Sequence, residues 1–307
     1  MNKIYDTLII GGGPAGYSAA LYCARAGLSV AVIEKMGAGG QMALTDVIEN
    51  YPGFDSGIDG FTLGMQMQQG AEKFGAETLF GEVLNAELQG EIKKITTDGG
   101  EFFAKTVIIA TGADPRPLGL ENESGLVGRG LHYCAHCDGR FYKDKVVAVV
   151  GGGNSAASDA LYLSNLAKKV YLIHRRDTLR ATKIYHEPLM QSDRVEFLWN
   201  SVVTEPILDG KIVGIKLKNL LSDTTAELAC DGLFVSVGRV PNTAVFKGQI
   251  EMDKNEYILA DETTKTNIEG VFAAGDVRAK ALRQVITAAS DGAVAAHFAE
   301  EYLMQKR

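Results

Sequence analysis

The first part of the chain shows an ordered change from apolar to small to amphipathic positions. Residues 7–10 are mostly apolar and lead into the cluster Gly11-Gly12-Gly13-Pro14-Ala15-Gly16, after which apolar residues recur at helical spacing. A second apolar segment follows at residues 29–34 and ends on an acidic residue. This order predicts a buried strand, a tight glycine turn, a helix from about Pro14 to Ala26 and a parallel second strand.

The same order recurs in the middle of the chain at a constant offset. Residues 147–156 repeat the pattern of residues 7–16, and residues 169–174 repeat the apolar segment at 29–34 without a gap. An amphipathic helix from about Ser155 to Leu166 lies between them. Two βαβ units are therefore predicted.

Each glycine turn matches the dinucleotide-binding pattern GxGxxG or GxGxxA, in which every small residue has its own steric reason. The first glycine permits the tight turn, the second lets a pyrophosphate approach the backbone, and the last small residue lets the helix approach the strand. The phosphates would then meet the N–H groups that begin the helix. One such pattern is weak evidence, whereas two in strand-helix-strand context predict two nucleotide sites. The residues concerned are Gly11, Gly13, Pro14, Ala15 and Gly16 in the first unit, and Gly151, Gly153, Asn154, Ser155 and Ala156 in the second.

The end of the second strand differs between the two units. In the first it is Glu34, and a carboxylate here accepts hydrogen bonds from the ribose hydroxyls of FAD or NAD. In the second it is His174-Arg175-Arg176, with Arg180 close behind, a basic cluster suited to a 2′-phosphate and hence to NADP. The alternative is a solvated basic face, and the alignment with Glu34 argues against it.

Later apolar segments complete both units. Residues 107–112 and 233–238 are predicted strands that end in glycine and close the first and second units, so the second unit is inserted in the first. Residues 270–276 form another predicted strand, and a long helix is expected over Leu282–Tyr302. Asp276 would bind a ribityl hydroxyl or cap that helix, and taken alone the cap is favoured. The predicted fold class is α/β with two Rossmann-like dinucleotide-binding domains.

Composition narrows the functions that remain open. The chain has 307 residues, a formal charge of −7 and 46% hydrophobic residues, an ordinary soluble profile that disfavours general binding to nucleic acid or an anionic membrane. No window has the ~18 consecutive apolar residues of a membrane span. The apolar run at the amino end is too short for a signal-peptide core. We therefore expect a cytoplasmic protein.

The four cysteines do not suffice for a disulfide framework. Cys134 and Cys137 form a CxxC pair, which indicates redox or metal chemistry. Zinc usually takes four ligands, and no second CxxC or HxxxH follows, so half of a zinc site is the weaker interpretation. Cys23 and Cys230 are expected to be small core residues.

Taken together, these motifs resemble the bacterial-type, low-molecular-weight thioredoxin reductases of the pyridine nucleotide-disulfide oxidoreductase superfamily. The resemblance runs the whole length of the chain. The cysteine pair lies just before the second fingerprint, as in this family, whereas glutathione-reductase-like enzymes carry their pair beside the first. The motifs that carry the resemblance include both fingerprints, Gly39-Gly40-Gln41, residues 49–53, Ala110-Thr111-Gly112-Ala113, residues 134–139, His174-Arg175-Arg176, Gly275-Asp276 and Arg283-Gln284.

The resemblance implies a domain organisation and cofactors. Residues 1–113 and 243–307 would bind FAD, and residues 114–242 would bind NADPH and carry the cysteines. It also implies a homodimer and a rotation of one domain about the connecting strands near residues 112–113 and 238–242. The residues that would bind FAD beyond the first fingerprint and Glu34 are Gly40, Gln41, Asn50, Ala110, Thr111, Gly112, Gly275, Asp276, Arg283 and Gln284.

The resemblance also implies a reaction path: hydride from NADPH to flavin, electrons to a Cys134–Cys137 disulfide, then exchange with the disulfide of thioredoxin. Cys137 would face the flavin, and Asp138 would be the general acid and base for the thiol proton. Which sulfur attacks the partner stays open. His136 could change the pKa of the cysteines, although an exposed residue without a role in the chemistry is the simpler interpretation.

The sequence departs from the family where the partner binds. Arg140-Phe141 stands where two aromatic residues are common, in a loop that, with an arginine matching Arg129, helps to grip thioredoxin in the family. Ser158-Asp159 stands where an acidic pair is common. Other functions therefore stay open: the same chemistry on another dithiol carrier (glutaredoxin-like or peroxidase-linked), a ferredoxin- or flavin-NADP reductase relative, or a flavin-bound redox sensor.

Overall fold

The computed structural model describes residues 3–45 and 47–306. The chain forms two compact units. The first contains the residues up to Asp114 and those from Val240 onward, and the second is Pro115–Arg239. Two short strands, β7 (Ala113–Pro115) and β16 (Arg239–Pro241), pair with each other where the chain passes from one unit to the other.

The first unit is built on a mixed sheet with helices packed against it. Its elements are β1 (Ile4–Ile10), α1 (Pro14–Arg25), β2 (Val30–Glu34), α2 (Gly60–Glu72), β3 (Glu77–Phe80), β4 (Val83–Glu87), β5 (Lys93–Thr97), β6 (Gly100–Ile109), β17 (Val271–Ala273) and α6 (Val285–Gln305). The strand order is β3-β2-β1-β6-β5-β4, and β17 also pairs with β6. Strands β1, β2, β3, β6 and β17 run parallel, and β4 and β5 extend the sheet as an antiparallel meander. Helices α1 and α6 pack together over one face of the sheet.

The second unit repeats the central part of this plan. Its parallel sheet has the order β11-β10-β9-β15-β8. A separate three-stranded antiparallel sheet, β12-β13-β14, is formed by the residues between β11 and β15. The elements are β8 (Leu131–His132), α3 (Ala135–Asp138), β9 (Val146–Val150), α4 (Asn154–Ser164), β10 (Lys169–Ile173), α5 (His186–Gln191), β11 (Val195–Leu198), β12 (Ser201–Asp209), β13 (Lys211–Asn219), β14 (Thr225–Ala229) and β15 (Gly232–Val235).

The order of the strands places both glycine turns at equivalent points. In the first unit β1 lies between β2 and β6, and in the second β9 lies between β10 and β15. Each turn follows the carboxyl end of that middle strand. The next strand along the chain lies on one side of the middle strand, and the strand that closes the unit lies on the other. Ligands of open α/β sheets bind at this switch point. The predicted α/β class with two Rossmann-like sheets is confirmed.

The predicted helices are found with small changes of boundary, and one prediction about capping is wrong. Helix α6 begins at Val285, three residues later than expected, because Gln284 is its N-cap and forms a capping box with Thr287. Asp276 therefore does not cap this helix. It lies in a short 3-10 turn, Gly275–Val277, that ends well before α6. None of the helices in the described part of the chain is long and apolar enough to cross a membrane.

A buried carboxylate fixes the turn at residue 275 to helix α6. Asp291 of α6 is 7% exposed; its Oδ2 accepts hydrogen bonds from the backbone N–H of Gly275 (2.9 Å), Arg278 Nε (2.8 Å) and Lys280 Nζ (2.8 Å), and its Oδ1 accepts one from Arg278 Nη2 (2.9 Å). Burial disfavours the ionised carboxylate, but the hydrogen bonds from Arg278 and Lys280 outweigh it and hold the pKa of Asp291 below its ordinary value. This cluster was not found from the sequence, because its three residues look like an ordinary polar loop and helix.

We expect Asp291→Asn to lower the free energy of unfolding by about 2–3 kcal/mol, since it leaves two partly buried cations without their counter-charge. Because the folded-state pKa of Asp291 is depressed, its stabilisation is present above the unfolded value of about 3.9 and is lost as the pH falls through the folded-state value. Urea unfolding at pH 7 and pH 3 measures both effects. Glu301→Gln, the same charge change on the same helix, is the control; a difference between wild type and Asp291→Asn that is as large at pH 3 as at pH 7 would contradict the electrostatic account.

Candidate functional site

In both glycine turns the fold itself requires the first glycine. Gly11 has a φ of +104°, and a Cβ there would lie 2.4 Å from the carbonyl oxygen of Ala110. Gly151 has a φ of +151°, and its Cβ would lie 2.4 Å from the carbonyl oxygen of Ser236. Gly16 is equally constrained, since its Cβ would lie 1.8 Å from the carbonyl oxygen of Gly11. Helix and strand are therefore in direct backbone contact at this point.

The middle glycine of each turn has no such structural reason. Gly13 (φ −78°) and Gly153 (φ −95°) adopt extended backbone that any residue accepts, and a Cβ on either would meet nothing within 4 Å. The space in front of both residues is open. A pyrophosphate that must approach the backbone explains a glycine at these positions, whereas packing within the chain does not.

Helices α1 and α4 begin beside these glycines, and no side chain caps the N-terminus of either helix. Gly13 is the N-cap of α1 and Gly153 is the N-cap of α4, and neither helix has a side-chain cap. Pro14 occupies the first position of α1, where a missing N–H costs nothing. The first N–H groups of each helix, with the positive end of its dipole, are thus available to an anion.

Glu34 lies against the first turn. Its Oε2 accepts a hydrogen bond from the backbone N–H of Gly12 (2.6 Å), and its Oε1 accepts one from that of Met36 (2.9 Å). A carboxylate has about four acceptor sites, so capacity for ribose hydroxyls remains. The side chain is half-buried at the end of β2. Its position fits the predicted ribose-binding role, and it also orders the loop after β2.

The second unit separates the predicted basic cluster into two parts. His174 is buried (4% exposed) and lies under the turn, where a Cβ on Gly152 would come within 2.2 Å of its ring. Burial, followed by the charges of Arg180, Arg175 and Arg176, lowers the pKa of His174, so this ring is neutral at pH 7. Its role is to support the turn, and it adds no charge to the cluster.

The three arginines form the charged part of this site. Arg175, Arg176 and Arg180 are exposed and lie in the segment that follows the carboxyl end of β10. Within the part of the chain that the structure describes, none of their guanidinium groups forms an ion pair. The backbone N–H of Arg180 donates to the carbonyl oxygen of Gly152 (2.6 Å) and so ties this segment to the turn.

Residues predicted to bind FAD converge on the first turn from distant parts of the sequence. A Cβ on Gly40 would lie 3.5 Å from Cα of Gly13, and a Cβ on Gly275 would lie 2.9 Å from Cβ of Ala15. The carbonyl oxygen of Ala110 contacts Gly11. The start of α1, the loop after β2, the end of β6 and the end of β17 therefore share one region.

Polar side chains lie around the same region. Asn50 donates from Nδ2 to Oε1 of Gln284 (3.0 Å), although the two are far apart in sequence. Thr111 Oγ1 donates to the carbonyl oxygen of Asn242 (2.7 Å). The backbone N–H of Asn242 in turn donates to the carbonyl oxygen of Gly112 (3.0 Å). The remaining predicted contacts are Gln41, which bonds Asp114 (2.8 Å), Arg283, whose guanidinium lies 4.1 Å from the Tyr257 ring centroid, and Asp276.

The CxxC pair lies in the second unit as a disulfide. Cys134 and Cys137 are bonded (S–S 2.08 Å), Cys134 is the N-cap of α3, and its Sγ accepts a hydrogen bond from the backbone N–H of Cys137 (3.2 Å). Cys23 and Cys230 are buried, and burial raises the pKa of each thiol to about 12. The prediction that these two are core residues is confirmed. No group of three or more His, Cys, Asp or Glu among the described residues could hold a metal ion.

The surroundings of the disulfide include one residue that sequence reasoning missed. His132, in β8, lies with Nδ1 3.0 Å from Oδ2 of Asp138 and Nε2 2.7 Å from the hydroxyl of Tyr142. A histidine two residues before the first cysteine was the available signal. His136 is exposed, with its ring 4.2 Å from that of Tyr162.

Asp159, part of the Ser158-Asp159 departure, lies beside the end of β15. Its Oδ2 accepts a hydrogen bond from Ser236 Oγ (2.5 Å). Burial raises the pKa of this carboxyl group, and the hydrogen bond from Ser236 and the charges of His136 and Arg239 only partly oppose the effect. Arg140 is exposed, and Phe141 is 48% exposed, in the turn that follows α3.

Comparison with known proteins adds to this geometry. Residues 5–292 match the family of pyridine nucleotide-disulphide oxidoreductases. The chain is 45% identical to a protein named thioredoxin reductase from Peptoclostridium acidaminophilum, over 99% of this chain and 98% of that one, and 46% identical to one from Listeria monocytogenes, over 98% and 94%. A crystal structure of thioredoxin reductase from Streptococcus pyogenes superposes with a TM-score of 0.92 at 45% identity, covering 99% of this chain and 100% of that one.

Proposed function

Since the chain belongs to the pyridine nucleotide-disulphide oxidoreductase family, we propose that it is a thioredoxin-disulfide reductase that uses NADPH and FAD. The overall reaction takes NADPH, a proton and a protein disulfide to NADP and the dithiol. The observation that carries this proposal is a disulfide, Cys134–Cys137, in a chain with two glycine turns of the nucleotide-binding pattern. Packing within the chain does not explain the middle glycine of either turn, whereas a bound pyrophosphate does.

The first unit has the donors and acceptors that FAD requires. The open backbone at Gly13 and the unfilled start of α1 suit its pyrophosphate, and Glu34 suits its adenosine ribose. When bound, FAD supplies a two-electron relay between NADPH and the disulfide. The residues we assign to its flavin and ribityl parts are Gly40, Gln41, Asn50, Ala110, Thr111, Gly112, Gly275, Asp276, Arg283 and Gln284.

The second unit has the corresponding features for NADPH. Gly153 leaves the pyrophosphate room to reach the start of α4, and Asn154, Ser155 and Ala156 form that first turn. Arg175, Arg176 and Arg180 supply positive charge for the 2′-phosphate, and His174 holds the turn from below. We therefore assign residues 1–113 and 243–307 to FAD binding and residues 114–242 to NADPH binding.

The chain's own chemistry lies at the cysteines. When the Cys134–Cys137 disulfide takes up two electrons it becomes a thiol and a thiolate, and Asp138, the next residue, exchanges the thiol proton. The thiolate attacks one sulfur of the partner disulfide and releases the other as a thiolate. The second cysteine then attacks the mixed disulfide, re-forms Cys134–Cys137 and frees the reduced partner.

We assign thioredoxin as the partner on the likeness to proteins named thioredoxin reductase. A homodimer as the working form rests on the resemblance of the sequence motifs alone. Arg140, in place of an aromatic residue, motivates one alternative, a different dithiol carrier. Turnover with NADPH and a panel of thioredoxins and glutaredoxin-like proteins decides between them. Fast reduction of a thioredoxin is expected, and fast reduction of another carrier alone would overturn the assignment.

The two open glycines provide a matched test of the cofactor sites. We expect Gly13→Ala to lower FAD retention by at least about 10-fold and Gly153→Ala to raise the Kd for NADPH by a similar factor, because a methyl group would displace each pyrophosphate. Neither change strains the fold, so the melting temperatures of the cofactor-free proteins are expected to stay near wild type.

Flavin absorbance after gel filtration and NADPH titration measure the two affinities separately. Each variant acts as the control for the other, since Gly13→Ala is expected to leave the NADPH affinity of the second unit unchanged and Gly153→Ala to leave FAD bound to the first. An effect of either substitution on both ligands, or on neither, would contradict the assignment of the two units.

A further inference from the structure

Asp138, at the end of α3, is held by a chain of hydrogen bonds that runs from Tyr142, in the 3-10 turn after this helix, through His132 of β8. His132 is 7% exposed, and its ring stacks on Phe234 of β15 (centroids 5.1 Å, planes at 27°). Its Nδ1 lies 3.0 Å from Oδ2 of Asp138, and its Nε2 lies 2.7 Å from the hydroxyl of Tyr142. Tyr142 packs edge-on against both rings, with centroids 5.2 and 5.3 Å away.

The chemistry of Asp138 and Tyr142 together fixes the direction of these hydrogen bonds. Burial, followed by the charges of Asp138, Asp231 and Cys230, raises the pKa of Tyr142 to about 12, so the phenol keeps its proton at neutral pH. A neutral imidazole can accept that O–H at Nε2 and donate its own proton from Nδ1. An ionised Asp138 is an acceptor only, so Nδ1–H must point at the carboxylate.

The second carboxylate oxygen of Asp138, Oδ1, is therefore available to exchange a proton. Within the described ranges no residue forms a hydrogen bond with Oδ1 of Asp138, and the side chain keeps 21% of its surface exposed. Asp138 follows directly on Cys137, in the short helix that the disulfide begins. A carboxylate bound at one oxygen and free at the other can take a proton from a neighbouring thiol and return it without changing its orientation.

We propose that His132 is a positioning residue for the proposed reaction: as its Nδ1–H tautomer, with Nε2 held by Tyr142, it orients the Asp138 carboxylate for exchange of the thiol proton. The inference rests on the proposed function for its role in turnover, but the tautomer and the orientation can be tested without it. His132 itself gains and loses no net proton, so the thiol proton moves only between sulfur and Asp138.

The first measurement needs no turnover. The chain has only five histidines, so selective 15N labelling of the FAD-loaded protein should resolve His132. We expect Nδ1 to carry the proton in the wild type. In Tyr142→Phe, which keeps the ring but lacks the hydroxyl, we expect Nδ1 to keep the proton and the 15N shift of Nε2 to move to that of an acceptor without a hydrogen bond. A wild type with the proton on Nε2 would overturn the proposal.

The second measurement follows the thiols. After reduction by dithiothreitol, we expect the pH profile of iodoacetamide alkylation at Cys134 and Cys137 to move to higher pH in His132→Ala, because a disordered carboxylate accepts the thiol proton less well. The charged and titratable groups that face Tyr142 are Asp138, Asp231 and Cys230, with Lys145 over its ring, and His132→Ala changes none of them. An unchanged profile in a folded His132→Ala protein would contradict the proposal.

The third measurement uses turnover and a double-mutant cycle. We expect His132→Ala to slow thioredoxin reduction by about 10-fold at an unchanged rate of flavin bleaching by NADPH, part of the effect of a general acid and base. His132→Asn, whose amide N–H can replace Nδ1–H, is expected to recover most of the rate. His132→Ala with Tyr142→Phe is expected to be no slower than His132→Ala alone, since Tyr142 acts through His132.

His297→Ala, an exposed histidine on α6, is the control and is expected to match wild type. Additive effects of His132 and Tyr142, or failure of His132→Asn to recover, would indicate a structural role only and overturn the proposal. If the wild type reduces no thioredoxin, the proposed function fails, while the tautomer and the alkylation profile still decide the role of His132.

Discussion

Cys137→Ser is expected to abolish NADPH-dependent reduction of thioredoxin, with a loss of more than about 10³-fold, while NADPH still bleaches the flavin absorbance. The physical reason is that a disulfide needs two sulfurs: a serine hydroxyl cannot form the bond that Cys134 and Cys137 make, nor leave as a stable anion at neutral pH. Binding of NADPH is unaffected because the turn at residues 151–153 lies elsewhere in the second unit. Anaerobic stopped-flow absorbance followed by coupled turnover measures both steps.

The chain offers a matched control for this experiment. Cys23→Ala removes a sulfur from α1 in the buried core of the first unit, where burial raises the thiol pKa to about 12 and makes the group unreactive. We expect it to retain wild-type turnover. If Cys137→Ser keeps physiological turnover, the disulfide is incidental, and a flavin- or ferredoxin-NADP reductase would become the better assignment.

The second large effect concerns the choice of nucleotide. Replacing Arg175 and Arg176 together with alanine is expected to lower kcat/KM for NADPH by on the order of 10²–10³-fold and to change that for NADH little. Hydrogen bonds between a guanidinium and a phosphate are charge-assisted and are each worth about 1.5–3 kcal/mol. NADH has no 2′-phosphate, so it loses nothing when the arginines are removed.

The control removes the same charge from the same unit at another place. Lys211→Ala with Lys218→Ala alters the antiparallel sheet and is expected to leave both nucleotides unaffected apart from a small change in salt dependence. Steady-state kinetics with NADPH and NADH over a range of ionic strength separate the two cases. Equal losses for both nucleotides in Arg175→Ala with Arg176→Ala would mean that the arginines do not recognise the 2′-phosphate.

His174 illustrates the limit of reading that site from the sequence. Beside two arginines it looked like a third cation for the phosphate. In the folded chain it lies under Gly152, and burial lowers its pKa, so it is neutral. The offset of 140 residues did align it correctly with Glu34, which packs against Gly12 in the first unit. The alignment predicted the position, and only the packing shows that the ring supports the turn.

Asp276 illustrates a similar limit on local rules. An acidic residue after a strand and before a long helix favours an N-cap, but the helix begins at Val285 because Gln284 and Thr287 form a capping box there. Asp291 then holds the intervening segment through Gly275, Arg278 and Lys280. Capping depends on where the backbone N–H groups point, which the sequence spacing alone does not give.

The sequence by itself determined the two βαβ units, the insertion of one in the other, the cysteine pair and the family, because each depends on local pattern or on repetition at a fixed offset. Tertiary structure alone decided which side chains of separate elements meet. The bond between Asn50 and Gln284, the cluster around Asp291 and the chain from Tyr142 through His132 to Asp138 all join separate elements. Hydrogen bonds of this kind form only when the fold has brought the elements together. The hydrophobic periodicity of the sequence therefore does not predict them.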